Sequence, residues 1–396
     1  MGTVGVLPCV VATGMAFRAQ RAIPPNQTGE QMHRDAKEHR QHGWHGAAML
    51  VVLVALVGCD SGTGIDTGDD TPVPLQCSIP QSQIFTGAAG KDAIPALTNP
   101  PTAGAQGPGI DYLLDTDRVM GLQVGDETLA VPLNILWWHE IVNLEMGGLE
   151  LALTHCPLTG SSLVFDRGPV SGAEFGVSGL LYRNNLMMYD RTTGESLWPQ
   201  MSRGARCGPR DGTDLPMVPV MEMTWEGWRT LHPETRVVTS GTGFGLNYQV
   251  YPYDDYDRID NPETLFPMPG FDDRRFPKER VLGIPSGDGG IALPFGELDR
   301  TGGNTATTVA GDVVFWDARR QTAMAYRPEL DGSPLTFTST RTRITDEETG
   351  SEWRVDGLAI TGPLEGRRLD PVPEAYIAFW FAWASFQPET ELWLAP

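Results

Sequence analysis

Short runs of alternating apolar and polar residues, broken every ten or so positions by turn-forming dipeptides, limit what this chain can fold into. Residues 119–124 and 127–132 flank Gly125-Asp126, and residues 142–146 and 149–154 flank Gly147-Gly148. Both dipeptides tolerate the positive φ angles of a two-residue hairpin turn. Further extended segments are expected at 163–165, 174–178, 186–189, 236–240, 281–284, 313–316, 322–326, 335–340 and 353–355. This rhythm predicts a mainly β domain with sandwich- or barrel-like sheets and a few short helices. One helix start stands out: Thr224 is an N-cap candidate ahead of Trp225-Glu226-Gly227-Trp228-Arg229, and Pro233 ends the segment. No internal repeat is evident. Residues 251–277, rich in Asp, Pro and Tyr, read as a long surface excursion, the best place for a lid or for a boundary between halves.

The N-terminal part follows different rules. Residues 47–57 (AAMLVVLVALV) are an apolar run of 11 residues that ends at Gly58-Cys59. A membrane-spanning helix takes about 20 apolar residues, so this run suits the h-region of a signal peptide, with Arg34, Lys37 and Arg40 as its positive flank. Leu56-Val57-Gly58-Cys59 resembles the lipobox of bacterial lipoproteins, in which the cysteine receives lipid. Residues 60–74 (DSGTGIDTGDDTPVP) hold too little apolar surface to fold and read as a tether. The expected organisation is a leader over 1–58, a lipid-anchored tether over 59–76 and one β-rich domain over 77–396. Met32 opens a conventional n-region, so residues 1–31 read as a misassigned start. The chain is then a lipoprotein of the cell envelope, attached to a membrane by its lipid.

Net charge −21 leaves no basic stripe for phosphates, which argues against nucleic acid as a partner. The run at 376–386 (YIAFWFAWASF) is too short to cross a bilayer and reads as a core segment stopped by Pro388. Outside the leader only His139, His155 and His232 remain, with three domain cysteines, Cys77, Cys156 and Cys207. Three thiols in an oxidising compartment allow at most one internal disulfide.

Residues 131–200 are the chemically dense part. They read VPLNILWWHEIVN, then LTHCPLTGSSLVFDR, then FGVSGLLYRNNLMMYDRTTGESLWPQ. These segments, with Gly90 to Ala96, Trp225 to Thr235, Pro277 to Val281 and the closing AFWFAWASFQPET, resemble the uncharacterised bacterial family known as domain of unknown function 3179. The resemblance covers nearly the whole domain and implies no activity. Its usual members carry Cys-Pro-Leu-Cys-Gly where this chain has Cys156-Pro157-Leu158-Thr159-Gly160. Cys207 stands where relatives usually have an aliphatic residue. Two pairings follow. Cys156 with Cys207 would replace the thiol lost at Thr159, with Gly160 and Gly208 letting both backbones turn and the Cα atoms within about 7 Å. Cys77 with Cys207 would staple the start of the domain to its middle and leave Cys156 free.

Thiolate, imidazole and thioether are the ligands of soft metals, so His139, Cys156 and Met188 form a candidate site for copper or zinc. Glu140, His155, Asp166 and Asp190 are its auxiliary residues, and the alternation of Leu186-Met187-Met188-Tyr189 assigns one methionine to the core. A nucleophilic reading uses Cys156 with His139 as base, oriented by Glu140 or Asp166. His155 would point to the opposite face of a strand from Cys156. Gly176-Val177-Ser178-Gly179 is not a nucleophile elbow, and Gly241 to Gly245 is a turn without the helix a dinucleotide loop needs. Two functions stay open: a soft-metal or redox-linked envelope protein, and a non-catalytic binding or scaffold lipoprotein.

Overall fold

A computed structural model describes residues 76–396 apart from Thr193 and Asp288. The leader, Cys59 and the tether as far as residue 75 lie outside the described residues. The domain is mainly β, with several open sheets and four short α-helices. Both expected hairpins form: Val124 pairs with Glu127 across Gly125-Asp126, and Met146 with Leu149 across Gly147-Gly148. The glycines at 125, 147 and 148 all take positive φ, as those turns require.

Four helices follow strands directly: α1 (Leu133–His139), α2 (Trp225–Leu231), α3 (Phe295–Arg300) and α4 (Trp380–Phe386). The Thr224 hydroxyl caps α2 by accepting from Gly227 N at 3.2 Å. The aromatic run at 376–386 is a buried strand (Tyr376–Phe379) leading into α4. No described helix is long and apolar enough to cross a membrane.

The structure overturns the expectation that the chain carries no repeat. Arg118-Val119, Gly121, Gly125-Asp126, Ala130 and Pro132 recur at the same spacing as Arg280-Val281, Gly283, Gly287-Asp288, Ala292 and Pro294. Likewise Trp225, Trp228 and Pro233-Glu234-Thr235 recur as Trp380, Trp383 and Pro388-Glu389-Thr390. The matching segments adopt the same structure. In each, a strand–turn–strand hairpin runs into a short helix, α1 or α3. A later strand pairs antiparallel with the hairpin so that Thr224 faces Arg118 in one repeat and Phe379 faces Arg280 in the other. After α2 or α4 the chain returns parallel to the hairpin's second strand, Arg236 beside Leu129 and Glu391 beside Ile291.

The shared residues explain themselves by packing. Trp228 lies so close over Gly121 that an added Cβ would stand 2.1 Å from its ring, and Trp383 over Gly283 gives the same 2.1 Å. Each indole N–H donates to the threonine after Pro-Glu, Trp228 to Thr235 at 2.9 Å and Trp383 to Thr390 at 2.8 Å. A buried indole needs such a partner. Between these blocks each repeat carries its own meander, with Ile141–Met146, Leu149–Cys156 and Ser161–Asp166 matching Thr305–Val309, Asp312–Asp317 and Thr322–Tyr326. The loop pairs Cys156–Ser161 and Asp317–Thr322 correspond.

The repeats interlock. Phe379 N donates to Thr159 O at 2.8 Å, and Thr224 N donates to Arg320 O at 3.3 Å, so each repeat's late strand is held by the other's loop. The strand Ser161–Asp166 also pairs with Tyr376–Phe379, which makes the first meander part of the second repeat's sheet. Residues 251–277 connect the repeats and so mark the boundary between them. The excursion is pinned from inside: Lys278 Nζ donates to Glu263 O and sits over the Tyr256 and Phe381 rings, while Asn184 bonds both N and O of Phe266.

A disulfide joins Cys77 to Cys207, and Cys156 is buried and free. The pairing of Cys156 with Cys207 is therefore wrong, and Cys207 does not replace the sulfur absent at Thr159. Its sulfur ties the first described residues to the segment after Leu197–Pro199, beside the bridges Cys77–Cys207 and Leu197–Cys207. A non-reducing peptide map should show Cys77 and Cys207 in one linked pair, with Cys156 alkylated only after unfolding. Cys207→Ser should lower stability by about 2–4 kcal/mol in chemical denaturation.

Candidate functional site

The loop at residues 157–160 turns the strand Leu149–Cys156 back into Ser161–Asp166. Adjacent strand residues face opposite sides. His155 opens on a cleft between the repeats, and Cys156 points into the core beside a smaller cavity. Gly160 has a φ of 56° and Phe379 packs where a side chain would stand, so the turn depends on glycine.

On the cleft side the arginines that open the two repeats converge on one carboxylate. Arg118 Nε donates to Glu222 Oε1 at 2.6 Å, and Arg280 Nε lies 3.6 Å from the same oxygen. The Arg118 Nη2 also donates to the carbonyls of Glu222 and Gln321. Ser162 Oγ donates to Glu222 Oε2 at 2.7 Å, so its remaining capacity is to accept from His155 Nδ1 at 3.0 Å. That chain places the His155 proton on Nδ1. Burial would raise the Glu222 carboxyl, but Arg118 and Arg280, with the hydrogen bond from Ser162, outweigh it and hold it below the usual range. Burial pushes His155 down to about 4, so its ring is neutral at neutral pH. The cleft measures about 190 Å³ and is also lined by Asp117, Trp137, Tyr251 and Asp257. Arg280 Nε is buried without a hydrogen-bond partner.

On the other side Glu140 follows α1 with φ 55° and ψ −33°, a conformation that costs a non-glycine residue free energy. Its side chain is only 4 % exposed, and its carboxyl makes no hydrogen bond among the described residues. Burial pushes it up to about 8. The Cys156 thiol beside it is pushed up to about 11 by burial and by the Glu140 charge. Cys156 Sγ accepts from Leu186 N at 3.3 Å. It is a thiol at neutral pH, the weak form of the nucleophile.

The soft-metal donors do not fit a metal. His139 donates from Nδ1 to Pro95 O at 2.7 Å, which leaves Nε2 to accept from Tyr248 OH at 2.7 Å. Its one lone pair is thus in use, and it can serve as neither ligand nor base for Cys156 without losing Tyr248. Burial lowers its pKa, in keeping with a neutral ring. Met188 is buried in the core. Among the described residues no group of three His, Cys, Asp or Glu side chains could hold a metal ion. The auxiliary aspartates have local tasks. Asp166 accepts from Gly168 N in a turn, and Asp190 accepts from Trp198 Nε1 at 2.7 Å and Ser196 N at 3.0 Å. In the second repeat Asp346 likewise accepts from Trp353 Nε1 at 2.9 Å, which makes this pair a structural device.

Comparing the repeats separates fold from chemistry. Arg118, Gly121 and Trp228 have counterparts and serve the shared framework. Glu140 stands where the second repeat has Gly302, whose φ is 79°. His155 and Cys156 match Trp316 and Asp317, Ser162 matches Ala323, and Glu222 matches Ile377. The Cys156 and Thr159 positions correspond to Asp317 and Arg320, which form an ion pair closing the second loop. Two side chains at these positions therefore face one another. Thr159 is hydrogen-bonded with Ser161 and Asn185 in this chain. Sequence reasoning named Glu140, His155 and Cys156 but missed Arg118, Ser162, Glu222 and Arg280. The paired Arg-Val-x-Gly openings were the signal that could have found the arginines.

If Glu140 is strained and buried for a purpose other than folding, Glu140→Gly should stabilise the domain by about 1–3 kcal/mol. The folded acid keeps a proton that the unfolded chain releases above the ordinary carboxylate range. Its contribution is therefore fully present at low pH and lost as pH rises through about 8. Thermal melts at pH 5 and pH 8 should show a larger drop for wild type than for Glu140→Gly, and parallel drops would refute this account.

The profile of a family described as Protein of unknown function (DUF3179) matches residues 91–390. No curated protein and no solved structure matches the chain. The family match spans both repeats, the cleft and the Glu140 cavity, and the chain belongs to the DUF3179 family.

Proposed function

We propose that this chain is an exported, lipid-anchored binding protein of the cell envelope, and that the cleft between its repeats takes a small ligand bearing an anionic group. The observation that carries the ligand class is the convergence of Arg118 and Arg280 on a single carboxylate, with one Arg280 nitrogen buried and unbonded. Two guanidinium groups against Glu222 leave positive charge at the cleft floor. Arg118 is consumed by Glu222 and two carbonyls, so Arg280 is the contact group. Asp117 and Asp257 at the walls limit how much negative charge the cleft tolerates. Neutral His155, held by Ser162, adds a polar contact without competing charge.

The binding reading is favoured over a metal or redox role because His139 and Cys156 are committed elsewhere, as described above. The envelope location rests on the leader and Cys59.

Titration calorimetry with succinate and with inorganic phosphate tests the cleft. Wild type should bind at least one of them, Arg280→Met should weaken binding at least tenfold, and added salt should weaken it in wild type. Absence of binding by both anions to wild type at millimolar concentration would reject the reading. The anchor is tested separately. Cys59→Ser should move the protein from the membrane fraction to the soluble one and remove the acyl mass from its N-terminal peptide. A wild-type chain already soluble and unacylated would refute the anchor.

A further inference from the structure

A second cavity lies on the far side of the 157–160 loop from the cleft. It is about 70 Å³ and lined by Glu140, Leu158, Val177, Leu186, Tyr253 and Leu265, among others. Its walls are mostly apolar, and the Glu140 carboxyl is the acidic group that lines it. That carboxyl is 4 % exposed and makes no hydrogen bond among the described residues. A carboxyl with so little access to water and no partner is disfavoured, so native folds rarely keep one without a use. Glu140 also holds a positive φ of 55°, a backbone conformation that costs a non-glycine residue further free energy. Nothing in the shared framework needs a carboxyl at this place.

We propose that this cavity binds a small neutral, mostly apolar molecule through one carbonyl oxygen, which accepts a hydrogen bond from the Glu140 carboxyl. Three features support the assignment. The acid is neutral at neutral pH, because burial pushes it up to about 8, and a neutral carboxyl donates. Burial alone shifts it, and the titratable groups that feel its charge, Cys156 from the strand and Tyr253 from the excursion, are not cations that would ionise it. Leu265 both lines the cavity and is 56 % exposed, so an apolar tail can leave along it to the surface. The volume is about half that of an engineered cavity of roughly 150 Å³ that holds benzene, which suits a head group of about three heavy atoms with the remainder leaving along Leu265.

The probe is butanone, with n-butylamine as the charged comparison, followed by thermal shift and by the infrared carbonyl band of the protonated carboxyl. Butanone should raise the melting temperature of wild type and shift that band. Glu140→Gln keeps a donor and should bind within about threefold of wild type. Glu140→Leu removes the donor and should lose at least tenfold. Leu186→Trp, which fills the cavity and leaves Glu140 in place, should abolish binding while the Cys77–Cys207 bond and the succinate response persist. No butanone binding to wild type, equal binding by Glu140→Leu, or n-butylamine binding tenfold more tightly than butanone would each overturn the proposal.

Discussion

The carboxylate of Glu222 sits where the two repeats meet and receives the first arginine of each. Removing two guanidinium groups from water is costly unless their charge is met at close range. Glu222 meets it, and Ser162 and His155 complete its hydrogen bonds. Much of the domain's arrangement follows from that cluster. It draws together the strands Arg118–Val124, Ser161–Asp166, Met221–Thr224 and Arg280–Ser286, which belong to different sheets and different repeats. Glu222 has no counterpart, since the second repeat has Ile377 at that register. One carboxylate serving two arginines is thus a built asymmetry in an otherwise paired framework.

That asymmetry extends outward. The second repeat fills the matching positions with other groups: Trp316 for His155, and the Asp317–Arg320 ion pair for Cys156 and Thr159. Its loop is closed and chemically quiet. The first repeat instead keeps an imidazole, a thiol and two buried carboxyls around its loop, with a space on each side. Titratable chemistry kept in only one of two equivalent places is where function is expected to sit.

The β class was legible because hairpin turns have strict backbone needs, and Gly125-Asp126 and Gly147-Gly148 advertise them. The α2 cap at Thr224 was legible for the same reason. The helix α1 was not, because Leu133 to His139 is apolar except for Asn134 and His139 and has no side-chain cap. Alternation along the strand separated His155 from Cys156 correctly. His139 misled, since its partners Pro95 and Tyr248 are far away in sequence and no local pattern reveals that both ring nitrogens are used. The repeat escaped notice because its shared residues are few and framework-bound, while unrelated meanders separate them. The arginines escaped with it, as a lone Arg at a strand start looks like a solvated surface residue. The disulfide was one of the two pairings expected from the sequence, and only tertiary structure could choose between them.

The exchange of hydrogen bonds between Thr159 and Phe379, and between Arg320 and Thr224, has a consequence for how the chain holds together. Neither repeat closes its own sheet; each presents an open strand edge that only the other covers. A chain cut within 251–277 would yield two pieces that are each incomplete, with exposed edges prone to self-association. The same complementarity would let those pieces recombine without the covalent link. Cooperative unfolding of the whole domain, and not the melting of one half after the other, is the natural result of that mutual dependence.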